Sequence, residues 1–160
     1  DLASVWRTIV EVGDHEALEA AVSDAFPGAR VDIVQKSGRF DLSFQQDGLL
    51  RPLSQAELSD GTLRYLLWIA ALLTPRPPEL MVLNEPETSL HPELLPPLGR
   101  LMKKCAESTQ LWVISHAHGL IDALSEESNH VHLTKRLGET MIEGLGTFDF
   151  ETPAWKWPVR

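Results

Sequence analysis

The chain has 160 residues, 43% of them hydrophobic and 23% charged, with a formal net charge of −9. Such a balance suits one soluble globular domain, or a piece of one, and excludes a collagen-like or wholly disordered chain. None of the stretches 1–50, 51–110 and 111–160 carries more basic than acidic residues. The basic footprint needed for counterion-release binding to nucleic acid is therefore missing, and so is a polybasic membrane patch. A nucleic-acid role would have to come from parts outside these residues. The longest apolar run, residues 65–73, is too short to span a bilayer, and no Lys/Arg-led signal segment opens the chain. The first residue is Asp1, so we expect a trimmed chain or a fragment. A single cysteine, Cys105, excludes an internal disulfide framework and a multi-cysteine zinc site. It fits a reducing cytosol, and a cytoplasmic location is expected.

In chain order, Leu2, Val5, Trp6, Ile9 and Val10 sit at helical spacing. Gly13 and Asp14 interrupt that helix, and Asp14 can cap the next, over about residues 15–26. Pro27-Gly28 stops it. Val31, Ile33 and Val34 read as a strand; after a Ser37-Gly38 turn, Phe40, Leu42 and Phe44 alternate with polar residues. This is a β-hairpin with one solvated face, closed by Asp47-Gly48. Residues 62–74 are apolar on every side, which predicts a buried central helix ended by the prolines of residues 74–79. Residues 80–83 and 111–114 read as strands buried on both faces. A helix over about residues 92–107, irregular at Pro96 and Pro97, joins them into a parallel, right-handed βαβ unit. A short helix near residues 120–124 follows. Residues 130–134 and 140–143 then form a hairpin around Leu137-Gly138, with His130 and His132 on one side of its first strand. The tail, residues 147–160, has no periodicity; Trp155 and Trp157 flank Lys156 as a partner patch or a cover for the core edge.

Four stretches carry chemistry. Ser59, Asp60 and Gly61 precede the apolar helix. Two readings are open: backbone N–H groups offered to a phosphate at a positive helix end, or an ordinary N-cap. Asn84 and Glu85 stand at the carboxyl end of a buried strand, where open α/β sheets place ligands. A carboxylate there can take a proton from an attacking water, or it can be an ordinary surface acid in a loop, as can Glu87. His116 and His118 follow the second strand, on the same rim as Glu85. Together with His91 they are open to a metal-site reading or to that of hydrogen-bonded rim histidines.

Taken together, "LSDGT" (58–62), "LMVLNEPE" (80–87), "TSLHP" (88–92) and "VISHA" (113–117) resemble, in order and spacing, the second half of an ABC-type ATPase head. The likeness is to the RecF-like, SMC-like and OLD-like soluble ATPases of the AAA family. It covers about residues 53–146, with the preceding hairpin. "LSDGT" looks like the signature motif, "LMVLNEPE" like the Walker B strand with its catalytic glutamate, "TSLHP" like the D-loop and "VISHA" like the switch-histidine strand. The resemblance implies a P-loop NTPase-type α/β half-domain with a parallel βαβ core, flanking helices and β-hairpins. Residues 1–52 would be helices and a hairpin of the head, 53–146 the signature, Walker B and switch-histidine lobe, and 147–160 a tail. It implies an ATP site with Mg2+, sandwiched between two heads. Glu85 would polarise the attacking water and His116 would contact the γ-phosphate. Ser59, Asp60, Gly61 and Thr62 would belong to the segment gripping the nucleotide of the opposite head, and residues 88–91 would communicate between sites. Asn84 would lie beside the metal.

The sequence departs from the family in three places. No G-x-x-x-x-G-K-[ST] and no glutamine loop occur in it. Asn84 stands where aspartate is usual, and Asp60 replaces a signature glycine. We therefore expect these residues alone not to hydrolyse ATP. We expect a Walker A half of the same protein as partner, or self-association, and a homodimer in the parent. The rivals are a non-hydrolytic nucleotide-sensing or scaffolding module, favoured by Asn84, and a metal hydrolase using His91, His116 and His118.

Overall fold

Two aspartates start the helices at the amino end. Asp1 accepts from the Ser4 N–H at 2.8 Å and Asp14 from the Ala17 N–H at 2.8 Å, each satisfying an otherwise orphaned donor. The helices they cap are α1 (Leu2–Val12) and α2 (His15–Ala25). Gly13 lies between them because a Cβ there would sit 2.7 Å from the Ile9 carbonyl oxygen. The computed structural model describes residues 1–36, 38–136 and 138–143. It divides into one unit of Asp1–Glu127 and a second from Ser128 onward. Among the described residues, no helix is long and apolar enough to cross a membrane.

In the first unit, β1 (Arg30–Lys36) and β2 (Arg39–Gln45) form the expected antiparallel hairpin, with Ile33 opposite Leu42 and Val31 opposite Phe44. Leu42 and Phe44 are buried. A two-residue strand, β3 (Leu53–Ser54), pairs with the far side of β2; it is too short to leave a periodic signal in the sequence. A 3-10 turn over Gln55–Glu57 follows, and the Glu57 carboxylate reaches back to the Ser54 N–H at 2.9 Å and to Arg51 Nη2 at 2.6 Å.

The helix α3 (Asp60–Leu72) is the centre of this unit, packing on α1, α2 and, further along the chain, α4 (Leu95–Ala106). Tyr65, Leu66 and Ile69 are fully buried, beside Trp6, Ile9, Leu18, Leu98 and Met102. Phe26 joins hairpin to helix, edge-on to Phe44 at 5.6 Å and to Tyr65 at 5.5 Å. Arg100 forks onto Asp24 at 2.8 and 2.9 Å, tying α4 to α2. The expectation of a helix buried all round is corrected: Arg64, Leu67 and Ala71, spaced along one face, are exposed.

The strands β4 (Leu80–Asn84) and β5 (Gln110–Ile114) pair in parallel, with α4 between them in sequence. Pro92–Leu94 is a 3-10 turn, and Pro96 and Pro97 fall in the first turn of α4, where a missing N–H breaks no ladder bond. These strands are not buried on both faces as expected. Leu80, Val82, Trp112 and Ile114 lie on an open face, while Leu83 is buried on the other. Continuous apolar runs say that both faces need cover; these residues supply it for one. α5 (His118–Leu124) starts earlier than the sequence predicts and takes in His118.

The second unit is a hairpin of β6 (Leu133–Arg136) and β7 (Glu139–Ile142). The first strand starts at Leu133, so His130 and His132 precede it rather than sharing a strand face. His130 Nε2 is 2.9 Å from Ser128 Oγ, and His132 pairs with Glu143. The tail with Trp155, Lys156 and Trp157 lies outside the described residues.

Two measurements check this packing. Leu66→Ala should cost about 2–5 kcal/mol in chemical denaturation, as for other fully buried leucines. Leu67→Ala, on the exposed face, should stay within about 0.5 kcal/mol. The Arg51 guanidinium, with the Ser54 N–H and hydroxyl, lowers the Glu57 pKa from 4.5 to about 2. Its contribution is thus present above pH 4.5 and disappears as pH falls toward 2. A carboxyl NMR titration should give a Glu57 midpoint near 2 that moves up toward 4.5 in Arg51→Ala.

Candidate functional site

At the end of β4 the backbone enters the left-handed region, with Glu85 at φ 46° and Ser89 at φ 66°. For non-glycine residues this conformation costs about 1–3 kcal/mol and persists only where neighbours enforce it. Here the Glu85 N–H donates to the Ile114 carbonyl at 2.8 Å, continuing the parallel ladder one residue past Asn84. Thr88 N–H donates back to the Glu85 carbonyl at 3.1 Å and Leu90 N–H to that of Glu87 at 2.9 Å. Trp68 of α3 donates its indole N–H to the Pro86 carbonyl at 3.0 Å. The loop is therefore gripped from the sheet and from the central helix.

The loop after β5 meets it. In the register Asn84 stands opposite Ile114, so residues 85–87 and 115–117 leave the sheet side by side. Glu87 Oε1 accepts from Ser115 Oγ at 2.7 Å and from the His116 N–H at 3.1 Å. Ser115 Oγ in turn accepts from the Ala117 N–H at 3.1 Å. His116 Nδ1 is 3.6 Å from Glu87 Oε1 and 3.9 Å from Glu85 Oε1. The three side chains differ in access: Glu87 is 8% exposed, Glu85 52% and His116 77%. Burial would raise the Glu87 pKa. The Ser115 hydroxyl, then its own and the His116 backbone N–H and the imidazole, outweigh it and hold the carboxyl below its usual range. Asn84 is exposed at the end of the open sheet face.

The residues before α3 form a separate group. Ser59 is the N-cap, its Oγ accepting from the Thr62 N–H at 3.2 Å and lying 2.9 Å from Thr62 Oγ1. Asp60 is the first helical residue, with its side chain exposed. Gly61 is packed so that a Cβ would stand 3.0 Å from the Ser89 carbonyl oxygen. Ser59, Gly61 and Thr62 line an open cavity of about 250 Å³ with Phe26, His91 and Glu93. His91 caps the turn beginning at Pro92, its Nδ1 accepting from the Glu93 N–H at 3.4 Å. The sequence-derived residues thus fall into two groups: Glu85, Glu87 and His116 at the strand ends, and Ser59, Gly61, Thr62 and His91 at the start of α3. His91, His116 and His118 are not brought together; among the described residues no group of three or more His, Cys, Asp or Glu could hold a metal ion.

Sequence reasoning named Glu87 only as a second loop acid. Its position against residues 115–117 follows from the strand register, which no local pattern reports.

Both loops and the α3 N-terminus lie within residues 5–122, which match the model of the family described as "AAA domain, putative AbiEii toxin, Type IV TA system". Solved structures share the fold. One is from work on ATP-driven dimerization and DNA-stimulated activation of SMC ATPases: TM-score 0.65, 12% identity, covering 91% of this chain and 90% of that one. The Smc head bound to the C-winged helix domain of ScpA gives 0.68 at 13% identity, covering 86% of this chain and 43% of that one. The SMC head domain from Thermotoga maritima gives 0.55 at 21% identity, covering 88% and 51%. The chain thus spans about half or less of the length of the last two. At these identities the likeness shows the fold, which is the α/β P-loop NTPase fold of SMC heads. No curated protein matches the chain.

The approach of α3 to the loop is directly testable. In Gly61→Ala, a gain in helix propensity of about 1 kcal/mol opposes the close contact, so thermal stability should change little. The amide resonances of Ser89, Leu90 and His91 should shift; an unshifted spectrum would contradict the contact.

Proposed function

The chain belongs to this AAA-domain family, and on that premise we propose that it is the second lobe of an ABC-type ATPase head, completing a nucleotide site shared between lobes and between two heads. The observation that carries the proposal is the pairing of a solvent-accessible Glu85 with His116 at the carboxyl ends of two parallel strands, 3.9 Å apart. Water-accessible carboxylate and imidazole at one sheet rim suit phosphoanhydride hydrolysis, which needs positioning and charge stabilisation more than covalent chemistry.

In this reading Glu85 orients the attacking water and accepts its proton. His116 donates a hydrogen bond to the γ-phosphate. Ser59, with the N–H groups of the first α3 turn, faces the nucleotide of the opposite head; Gly61 adds no side chain there, and Asp60 turns outward. The separation of the two residue groups supports this division, since each head would offer one group to each of two nucleotides. Residues 88–91 would carry the state of one site to the other, because the same loop holds Glu87 and touches Gly61. The residues present fit a nucleotide: a helix start, where Ser59 Oγ takes the Thr62 N–H and the Asp60 and Gly61 N–H groups precede it, and an exposed acid at a strand end. Bound Mg2+ would supply charge neutralisation between phosphates, with Asn84 accepting from one of its waters.

No phosphate-loop motif occurs in the 160 residues. We therefore assign it to a lobe outside them, which also covers the open face of Leu80, Val82, Trp112 and Ile114. Parallel sheets are normally covered on both faces. The reading in which nucleotide is sensed and not hydrolysed rests on Asn84, which brings no charge to the metal.

These assignments are tested by combining the chain with the phosphate-loop lobe. Trp112 emission should shift to the blue on mixing, and ATP turnover should arise only in the mixture. Glu85→Gln should lower turnover at least about 100-fold, the scale of a lost general base, while ATP-dependent dimerisation seen by light scattering persists. Absence of turnover in the mixture, restored by Asn84→Asp, would favour the sensing reading.

A further inference from the structure

We propose that Glu87 is a positioning residue for His116: its carboxylate clamps the loop after β5 onto the loop after β4, holding His116 beside Glu85. This rests on the reading of His116 as a γ-phosphate contact.

The geometry is one-sided. Among the described residues the hydrogen bonds from the β5 loop gather on Oε1, which takes the Ser115 hydroxyl at 2.7 Å and the His116 N–H at 3.1 Å. The same hydroxyl accepts from the Ala117 N–H at 3.1 Å, so one carboxylate oxygen organises three consecutive residues. The other oxygen, Oε2, is buried and has no hydrogen-bond partner among the described residues. With 8% exposure, Glu87 has little access to a ligand, whereas Glu85, at 52%, has it. A buried acid that reaches its neighbours and not solvent acts through those neighbours. Its own anchorage is firm, because Trp68 holds Pro86 and Leu90 N–H closes a turn on the Glu87 carbonyl. Charge-assisted bonds of this kind are stronger and shorter than neutral ones, and the carboxyl is held ionised by the donors around it. The clamp also explains how two loops joined by one ladder bond at Glu85 N–H keep a common geometry beyond it.

The test has two readouts. On the chain itself, hydrogen exchange of the His116 amide should be at least about tenfold faster in Glu87→Ala, as expected for loss of a charge-assisted bond. Glu87→Gln keeps an acceptor oxygen and should restore most of the protection. Should Glu87→Ala fail to fold, Ser115→Ala, which removes one donor of the clamp, should give a smaller acceleration of the same amide. In the protein combined with its phosphate-loop lobe, Glu87→Ala should lower kcat about tenfold with KM for ATP within about threefold. In a His116→Ala background it should change kcat less than about twofold, because the effect runs through His116. Unchanged His116 exchange, or an equal kcat loss in both backgrounds, would overturn the proposal. If His116→Ala alone leaves turnover intact, the γ-phosphate reading is what has failed, and the exchange result alone decides the clamp.

Discussion

The parallel register of β4 and β5 is the constraint from which the site geometry follows. Pairing Asn84 with Ile114 ends both strands at one level, so the chain must leave the sheet twice at the same rim. A slip of one residue would exchange the faces of every strand residue, putting Leu83 outside and Val82 inside. It would also separate Glu87 from the Ser115 hydroxyl. The bond from Thr109 Oγ1 to the Pro78 carbonyl, and that from the Gln110 N–H to the Glu79 carbonyl at 3.0 Å, fix the register at the opposite end. These bonds, with the five paired positions of the ladder, set the level at which Glu85, Glu87 and His116 leave the sheet.

The helix α3 is the second organising element. Its Ser59 end lines the cavity with His91, Gly61 abuts Ser89, and two turns on Trp68 holds Pro86. A single helix thus touches the loop of the Glu85 group and carries Gly61 and Thr62, with Ser59 as its cap, of the other group. The contacts of Gly61 with Ser89 and of Trp68 with Pro86 are the ones that the proposed communication between sites would use.

Much of the architecture was legible because its causes are local. Asp14 was readable as a helix cap, the hairpin from the alternation of Phe40, Leu42 and Phe44, and the βαβ unit from short apolar runs bracketing a helical stretch. The family was legible from four ordered motifs. What was missed has non-local causes. β3 exists only because Leu53 and Ser54 meet β2. The exposure of Leu67, Val82 and Trp112 depends on what else is present to pack on them, and an apolar letter is the same whether covered or not. The placement of Glu85 and His116 side by side follows from the strand order expected. The place of Glu87 required the register itself. His118 looked like a loop residue because the helix it opens, only seven residues long, has too few turns for a clear stripe.

The backbone at Glu85 has a further consequence. A left-handed conformation favours glycine, and a sequence chosen for folding alone would place glycine at this position. Glutamate there means that folding and the proposed chemistry make opposite demands on one residue. Replacing glutamate by glycine would relieve the backbone cost at this position and, on the proposed reading, would remove the group that activates water. On that reading, a relative carrying glycine at this position would keep the architecture without the proposed reaction.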